Sequence, residues 1–205
     1  MTPARNRVTP LGDIVATPLR GAWTGNRGRL HSGREIVRFH ASDLWITCAL
    51  EFRGWWDEQW RPNRFTWLFF HDEAVSFAAG HRPCALCRRA SYDAYRQGWS
   101  DELNVDVPSA KEMNAQLHGE RIVRGTHRRR VHPMSWGSLP DGVFVLDDDT
   151  PWLVRGKELV AWTVEGYGNR RLRPLVGMAS VITPPSTVAV LRSGYAVQID
   201  PSATG

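Results

Sequence analysis

Residues 69–90, FFHDEAVSFAAGHRPCALCRRA, contain the strongest structural and chemical pattern in the chain. Apolar residues at intervals of three and four within 72–79 predict a short helix. Gly80 follows it at the place where a left-handed helix cap is expected. Cys84 and Cys87 then stand at the C-x-x-C spacing that lets two thiolates ligate one tetrahedral ion. The stretch therefore predicts a helix that leads into a metal-binding turn.

The number of cysteines limits what this turn can be. The 205-residue chain has three cysteines, of which the third is Cys48, and so sparse and odd a set excludes a disulfide scaffold. Structural zinc takes four nitrogen or sulfur ligands, so a site within one chain needs a fourth ligand, and histidine is the expected type. A buried cysteine pair and a redox C-x-x-C are the alternatives. A redox motif usually opens a helix after a strand, whereas a helix is predicted before this one.

The same stretch resembles the second half of the metal-binding domain of the Ada alkylation-repair family. That family has two aromatic residues, a short Ala-rich helix, Ala-Gly and then Arg-Pro-Cys-x-x-Cys. The residues that match, in the same order, are Phe69, Phe70, Ala74, Ala79, Gly80, Arg82, Pro83, Cys84 and Cys87. The resemblance implies a zinc-binding module over about residues 25–90.

The first half of the module resembles a wider set of Ada-like zinc modules, some of them attached to nucleases. In those modules Gly-Asn precedes a histidine and a cysteine that complete the site, and Gly25-Asn26 stands here in the corresponding place. The ligands that the resemblance implies for Zn²⁺ are His31, Cys48, Cys84 and Cys87. His40 is the alternative fourth ligand, since it is nearer to Cys48 in sequence. A histidine in place of the family's methyl-accepting cysteine implies a structural site without methyl-acceptor activity.

Charge and aromatic content favour a nucleic-acid partner. The net charge is +5, its surplus lies within residues 1–100, and all cations except Lys111 and Lys157 are arginines. Arginine is suited to bidentate phosphate contacts and to stacking on bases, although a general compositional bias toward arginine is an alternative explanation. We therefore expect contact with DNA or RNA through an Arg-rich face. Its predicted members are Arg27, Arg29, Arg82, Arg88 and Arg89.

Three other functions are compatible with the sequence. His71, Glu73, Cys84 and Cys87 match the H-x-E…P-C-x-x-C motif of zinc nucleobase deaminases, in which the glutamate moves protons and the other three hold a water-bearing zinc. Only nine residues separate Glu73 from Pro83, too few for the strand and loop of such enzymes. An enzyme with a site between two modules is the second, and a protein-interaction module that uses the tryptophans of 23–67 is the third.

The predicted fold class is α+β, with a small zinc-centred N-terminal module followed by a C-terminal α+β module that contains a short antiparallel meander. Ser109 and Glu112 predict a capping box at the start of a helix. Strands are expected within 142–163, at 178–182 and at 195–199, with a helix over 183–192. The predicted divisions are a mobile arm at 1–20, the zinc module at 21–100, a linker and helix at 101–130 and a C-terminal module of unknown role at 131–205.

The sequence contains no run of apolar residues long enough to cross a membrane. Its N-terminal segment lacks the apolar region of a secretory signal. We therefore expect a cytoplasmic protein without a membrane partner, in a reducing environment that leaves the cysteines free to bind metal.

Overall fold

The computed structural model describes residues 3–55 and 57–204. Over this part of the chain, two six-stranded sheets and a short hairpin combine with four α-helices, which confirms the predicted α+β class. None of the described helices is both long enough and apolar enough to span a bilayer.

The first sheet is formed by short strands that lie between Arg5 and Pro83. Its strands and the separate hairpin β4–β5 are, in chain order, β1 (Arg5–Val8), β2 (Ile14–Ala16), β3 (Trp23–Asn26), β4 (His31–Ser32), β5 (Glu35–Ile36), β6 (Ile46–Cys48), β7 (Leu68–Phe70) and β8 (Arg82–Pro83). The spatial order is β2-β1-β7-β3-β6-β8. Here the structure differs from the predicted mobile arm at 1–20, because Val8 and Ile14 bury their side chains in this sheet. Residues 1 and 2 of the predicted arm lie outside the described residues.

Two of the four described helices, the first and the third, begin at a residue whose side chain caps them. The four helices are α1 (Glu73–Ala78), α2 (Arg89–Leu103), α3 (Ala110–Arg121) and α4 (Pro185–Arg192). The Asp72 carboxylate accepts a hydrogen bond from the backbone N–H of Val75 at 2.8 Å, and Ser109 and Glu112 form the reciprocal capping box. Gly80 has φ +84° just after α1, as the left-handed cap requires. Helix α2 extends into the predicted linker.

The second sheet contains the predicted meander. Its strands are β9 (His132–Ser135), β10 (Phe144–Asp147), β11 (Thr150–Arg155), β12 (Glu158–Thr163), β13 (Gly166–Leu172) and β14 (Met178–Val181), in the spatial order β13-β12-β11-β10-β14-β9. The strand predicted at 195–199 is wrong. This segment lies instead along the start of α1, where the carbonyl of Gln198 accepts a hydrogen bond from the backbone N–H of Glu73 at 3.2 Å.

Helix α1 joins the two halves of the chain. All its residues are buried: Ala74 and Val75 pack with Phe144 and Val160 of the second sheet, while Phe77 packs among residues of α2, α3 and α4. Buried apolar surface is thus continuous across the boundary predicted between the two modules. The two predicted modules pack as one unit, and Ala85, in the turn from Cys84 to Cys87, packs against this common interior.

Candidate metal centre

The three cysteines come together because two strands run side by side. Strands β6 and β8 are parallel, with Thr47 opposite Pro83, so that Cys48 at the end of β6 lies next to Cys84, the residue that follows β8. The backbone N–H of Cys84 donates to the carbonyl of Thr47 at 2.9 Å. The turn that begins at Cys84 brings Cys87 close to them, and the Sγ atoms of all three cysteines lie within 4.8 Å of one another. This arrangement can hold a metal ion.

The turn from Cys84 to Cys87 is closed by hydrogen bonds to backbone and to sulfur. The N–H of Arg88 donates to the Cys84 carbonyl at 3.1 Å, and the N–H of Leu86 donates to Cys84 Sγ at 3.4 Å. Hydrogen bonds from Cys48 and then from Cys87 lower the pKa of Cys84 to about 2, and the contact with Cys84 raises the pKa of Cys48. One thiolate is thus stabilised by its neighbours, whereas three at this separation repel one another unless a cation lies between them.

The cysteines form part of the wall of a cavity of about 500 Å³. Most of the remaining wall is apolar and aromatic, and its large side chains are Leu50, Phe52, Trp55, Phe65, Trp67 and Leu86. The rings of Trp55 and Trp67 are stacked, with their centroids 5.2 Å apart. We call this space the aromatic cavity. No motif in the sequence pointed to it, because residues 50–67 follow neither a helical nor a strand period.

Neither candidate histidine joins the cysteines. Nδ1 of His31 lies 2.7 Å from Oγ1 of Thr66, and its ring packs edge-on against Trp60. The ring of His40 lies instead 5.1 Å from that of His118, between centroids. Within residues 3–55 and 57–204, no histidine or carboxylate completes the cysteine group. A four-coordinate ion held here would therefore have three protein ligands among the described residues and one position left for another ligand.

The residues of the deaminase motif are dispersed. Nε2 of His71 lies 3.5 Å from the Asp200 carboxylate, and neither His71 nor Glu73 belongs to the cysteine group. Glu73 is buried and is paired with Arg88. Glu73 is therefore not positioned to move the protons of a zinc-bound water at the cysteines. The structure does not assemble a deaminase site.

The predicted Arg-rich face needs correction. Arg27, Arg82 and Arg88 are buried, and only Arg29 and Arg89 of the five are exposed. Nε of Arg82 donates to the side-chain carbonyl of Asn114 at 2.9 Å. These three side chains are therefore interior groups.

The interleaving of arginine and tryptophan has a structural cause. The guanidinium carbon of Arg27 lies 4.1 Å from the ring centroid of Trp45, and that of Arg88 lies 3.8 Å from Trp23. A planar guanidinium stacks on an aromatic face and is weakly hydrated, which lets it pack in an interior. Trp56, another of the tryptophans in this region, lies outside the described residues. The pattern that predicted a nucleic-acid face is thus largely a pattern of core packing.

Comparison of the chain with protein-family models, with curated proteins and with solved structures finds no significant match. The resemblance to Ada-like modules stays a prediction carried by the residues quoted above. Function has to be inferred from the site itself, since a fold class alone does not specify an activity.

Proposed function

We propose that this chain is a zinc protein in which Cys48, Cys84 and Cys87 hold one Zn²⁺ and leave its fourth position for an external ligand. The observation that carries the proposal is a group of three sulfurs within 4.8 Å on the wall of a cavity, without a fourth protein ligand among the described residues. Thiolates favour zinc over the hard cations. Zn–S bonds of about 2.3 Å at tetrahedral angles separate sulfurs by about 3.8 Å, which this group can reach with small side-chain movements.

The metal also has a structural role in this proposal. It ties the end of β6 to the turn that starts α2, two elements that are distant in sequence and share only short strand contacts. Binding free energy at such a site adds to the stability of the folded state. An external ligand in the aromatic cavity would reach the ion without moving either element.

Metal content tests the three-cysteine assignment. The purified protein is expected to carry one zinc per chain by mass spectrometry, and Cys48→Ser, Cys84→Ser and Cys87→Ser are each expected to lose it together with thermal stability. His31→Ala and His40→Ala are the matched controls, and both should retain zinc. A metal-free wild-type protein whose stability is unchanged by a chelator, or zinc loss in His31→Ala, would overturn the assignment.

Cobalt substitution tests the exchangeable position. Co²⁺ in a tetrahedral thiolate site gives visible absorption bands that depend on all four ligands. A small thiol or imidazole added to the cobalt protein should shift these bands at millimolar concentration. Bands that stay unchanged would show a closed site and contradict this part of the proposal.

We infer a second function, contact with single-stranded nucleic acid, from the aromatic cavity. Trp55 is 54% exposed and stacks on Trp67, and the exposed Arg53 lines the same cavity. Exposed aromatic faces next to guanidinium groups bind unpaired bases with little sequence preference, each base contributing about 1–3 kcal/mol. In this proposal the nucleic acid binds at another surface than the one expected from the sequence.

Fluorescence titration with a short DNA oligonucleotide tests this second function. Binding should weaken steeply with added salt, and Trp55→Ala should reduce affinity by about tenfold or more. Arg89→Ala, an exposed arginine outside the cavity lining, serves as the control and should change affinity little. Absence of binding at low salt, or an equal loss in both variants, would contradict it.

A further inference from the structure

A second cavity, of about 670 Å³, lies between helix α3 and the turn segment that follows it. Its polar side chains are mostly basic: His40, His118, His127, Arg124 and Arg130. No carboxylate is among its lining residues in the described part of the chain. We call it the histidine cavity. It shares no lining residue with the aromatic cavity, so it is independent of the metal centre.

The three imidazoles are grouped but do not form a metal site. The ring centroids of His40 and His118 lie 5.1 Å apart, and those of His40 and His127 lie 6.4 Å apart. Among the described residues, only the cysteine cluster brings three or more potential ligand atoms within 4.8 Å of one another. Imidazole nitrogens that are not already hydrogen-bonded within the protein are therefore available to a ligand that accepts hydrogen bonds.

A buried arginine fixes the tautomer of His118. Nη2 of Arg121 lies 2.9 Å from Nδ1 of His118. Because a guanidinium has only donors, Nδ1 is the acceptor, and a neutral His118 carries its proton on Nε2. His118 is thus a hydrogen-bond donor to the cavity even when it is uncharged.

Three further arginines near the cavity, Arg27, Arg121 and Arg129, add positive charge and form no ion pair with an acidic side chain of the described residues. Nη2 of Arg27, Nε of Arg121 and Nε of Arg129 are buried and lack a hydrogen-bond partner. The Asp43 carbonyl accepts a hydrogen bond from Arg121 at 2.7 Å. The carboxylates of Asp13, Asp43 and Glu120 offset part of this charge without forming an ion pair with the three arginines. Charges of one sign in a weakly polarisable interior raise the potential at the nearest opening, and an anion there would lower the total energy.

From this arrangement we propose that the histidine cavity binds a phosphate group. Arg124 and Arg130 line the cavity, and a guanidinium group can bind two phosphate oxygens, while the imidazoles supply further donors. A phosphate dianion has enough acceptor positions to satisfy several donors at once and supplies the negative charge that the surrounding residues lack. Small phosphate compounds and the backbone of a nucleic acid share this chemistry.

The test uses the full, zinc-loaded chain with inorganic phosphate and pyrophosphate as probes, followed by calorimetry and by ³¹P line broadening. His127→Ala and Arg130→Ala each remove an exposed side chain of the cavity and should weaken binding by about tenfold. Arg128→Ala is the matched control, since Arg128 is exposed in the same arginine run but does not line the cavity. It should change affinity less than about twofold.

Two results would overturn the proposal. One is the absence of binding of either probe at millimolar concentration by a protein with native circular dichroism. The other is an equal loss in Arg128→Ala and Arg130→Ala, which would show unspecific attraction to a basic segment.

Competition identifies the source of the phosphate. If an oligonucleotide displaces pyrophosphate from the wild-type protein and Arg130→Ala weakens its binding as well, the cavity accepts backbone phosphate. If pyrophosphate binds and the oligonucleotide does not displace it, the ligand is a small phosphate compound. Both results support a phosphate site. An oligonucleotide that binds equally to wild type and Arg130→Ala, with no binding of either small probe, would overturn it.

Discussion

Arg88 and Glu73 form an ion pair in the interior of the protein, where both side chains are almost fully buried. The Glu73 carboxylate also accepts hydrogen bonds from the Tyr195 hydroxyl at 2.9 Å and from the backbone N–H of Gln198 at 3.1 Å. The guanidinium lies against the ring of Trp23. One carboxylate thus connects the metal-binding turn, the first helix and the C-terminal segment.

Removal of this carboxylate should be strongly destabilising. Glu73→Ala leaves a buried guanidinium without its counter-charge, and breaking a buried pair in this way costs about 3–5 kcal/mol. Urea unfolding of the zinc-loaded protein measures the loss in free energy of unfolding. Asp93→Ala, which breaks the exposed Arg89–Asp93 pair, is the control and should have little effect. Equal losses in the two variants would show that burial of the Glu73 pair has no energetic weight.

Gly80 is required at the end of α1 for two separable reasons. Its φ is +84°, and a Cβ added there would lie 2.7 Å from Cδ of Arg121. Gly156→Ala is the control, because Gly156 also has positive φ, +58°, but has nothing within 4 Å of an added Cβ. The control should lose about 1 kcal/mol from backbone strain alone, and Gly80→Ala should lose clearly more because the clash with a buried side chain is added. Thermal or urea unfolding of both variants measures this difference, and equal losses would show that Arg121 yields without cost.

The elements that local signals specify were predictable from the sequence. Helix α3 begins at its Ser109–Glu112 capping box, and helix α1 ends at Gly80. The meander follows from short β-prone runs separated by tight turns. In each of these cases the determining residues lie within a few positions of one another, so the pattern and the structure coincide.

Elements that depend on distant partners were not predictable. Strand β1 pairs with β7, more than sixty residues later in the chain, and four residues are too few for a visible period. Segment 195–199 has an alternating pattern, yet its hydrogen bonds go to Glu73 and not to a neighbouring strand. Long-range pairing decides such segments, and a single sequence does not display it.

The candidate site was likewise predictable from the sequence only in part. The C-x-x-C spacing predicted Cys84 and Cys87, and the resemblance to Ada-like modules added Cys48. The fourth ligand was predicted from resemblance, but the structure leaves His31 on Thr66. The two cavities depend on how irregular segments fold over the sheet and over α3, and this information is absent from local residue patterns.

Trp45 should be a major contributor to stability because two guanidinium groups enclose it. The guanidinium carbons of Arg27 and Arg121 lie 4.1 and 3.9 Å from its ring centroid, and the ring is 1% exposed. Trp45→Leu removes both cation–π contacts and leaves unfilled volume, so we expect a loss of about 3–5 kcal/mol in the free energy of unfolding. Trp45→Phe retains an aromatic face and should lose less. A leucine variant as stable as the phenylalanine variant would contradict the cation–π argument.

The affinity of the histidine cavity for a dianion should increase as the pH falls. Burial, followed by the charges of neighbouring groups, lowers the pKa of His40, and burial followed by Arg121 lowers the pKa of His118. The neighbouring groups that lower the pKa of His40 are His118, Arg121, His127 and Arg27. Arg121 lowers the pKa of His118, whereas Asp43 acts in the opposite direction. Both imidazoles are therefore largely neutral in the free protein near neutral pH.

A bound dianion stabilises the charged form of His40 and raises its pKa, so that binding takes up a proton and becomes tighter from about pH 8 to about pH 6. His118 stays neutral, because its Nδ1 accepts from Arg121, and donates to the anion from Nε2. Without a ligand, the stability of the fold decreases as the pH falls, because a histidine whose pKa is lowered in the folded state takes up a proton more readily in the unfolded state. A bound anion offsets this loss. Calorimetry with sulfate measures the effect, because sulfate stays a dianion over this range. Proton uptake follows from repeating the titration in buffers of different ionisation enthalpy. His40→Gln should flatten the pH dependence, whereas His118→Gln should retain it. A wild-type affinity that is constant between these pH values would show that His40 does not face the bound anion.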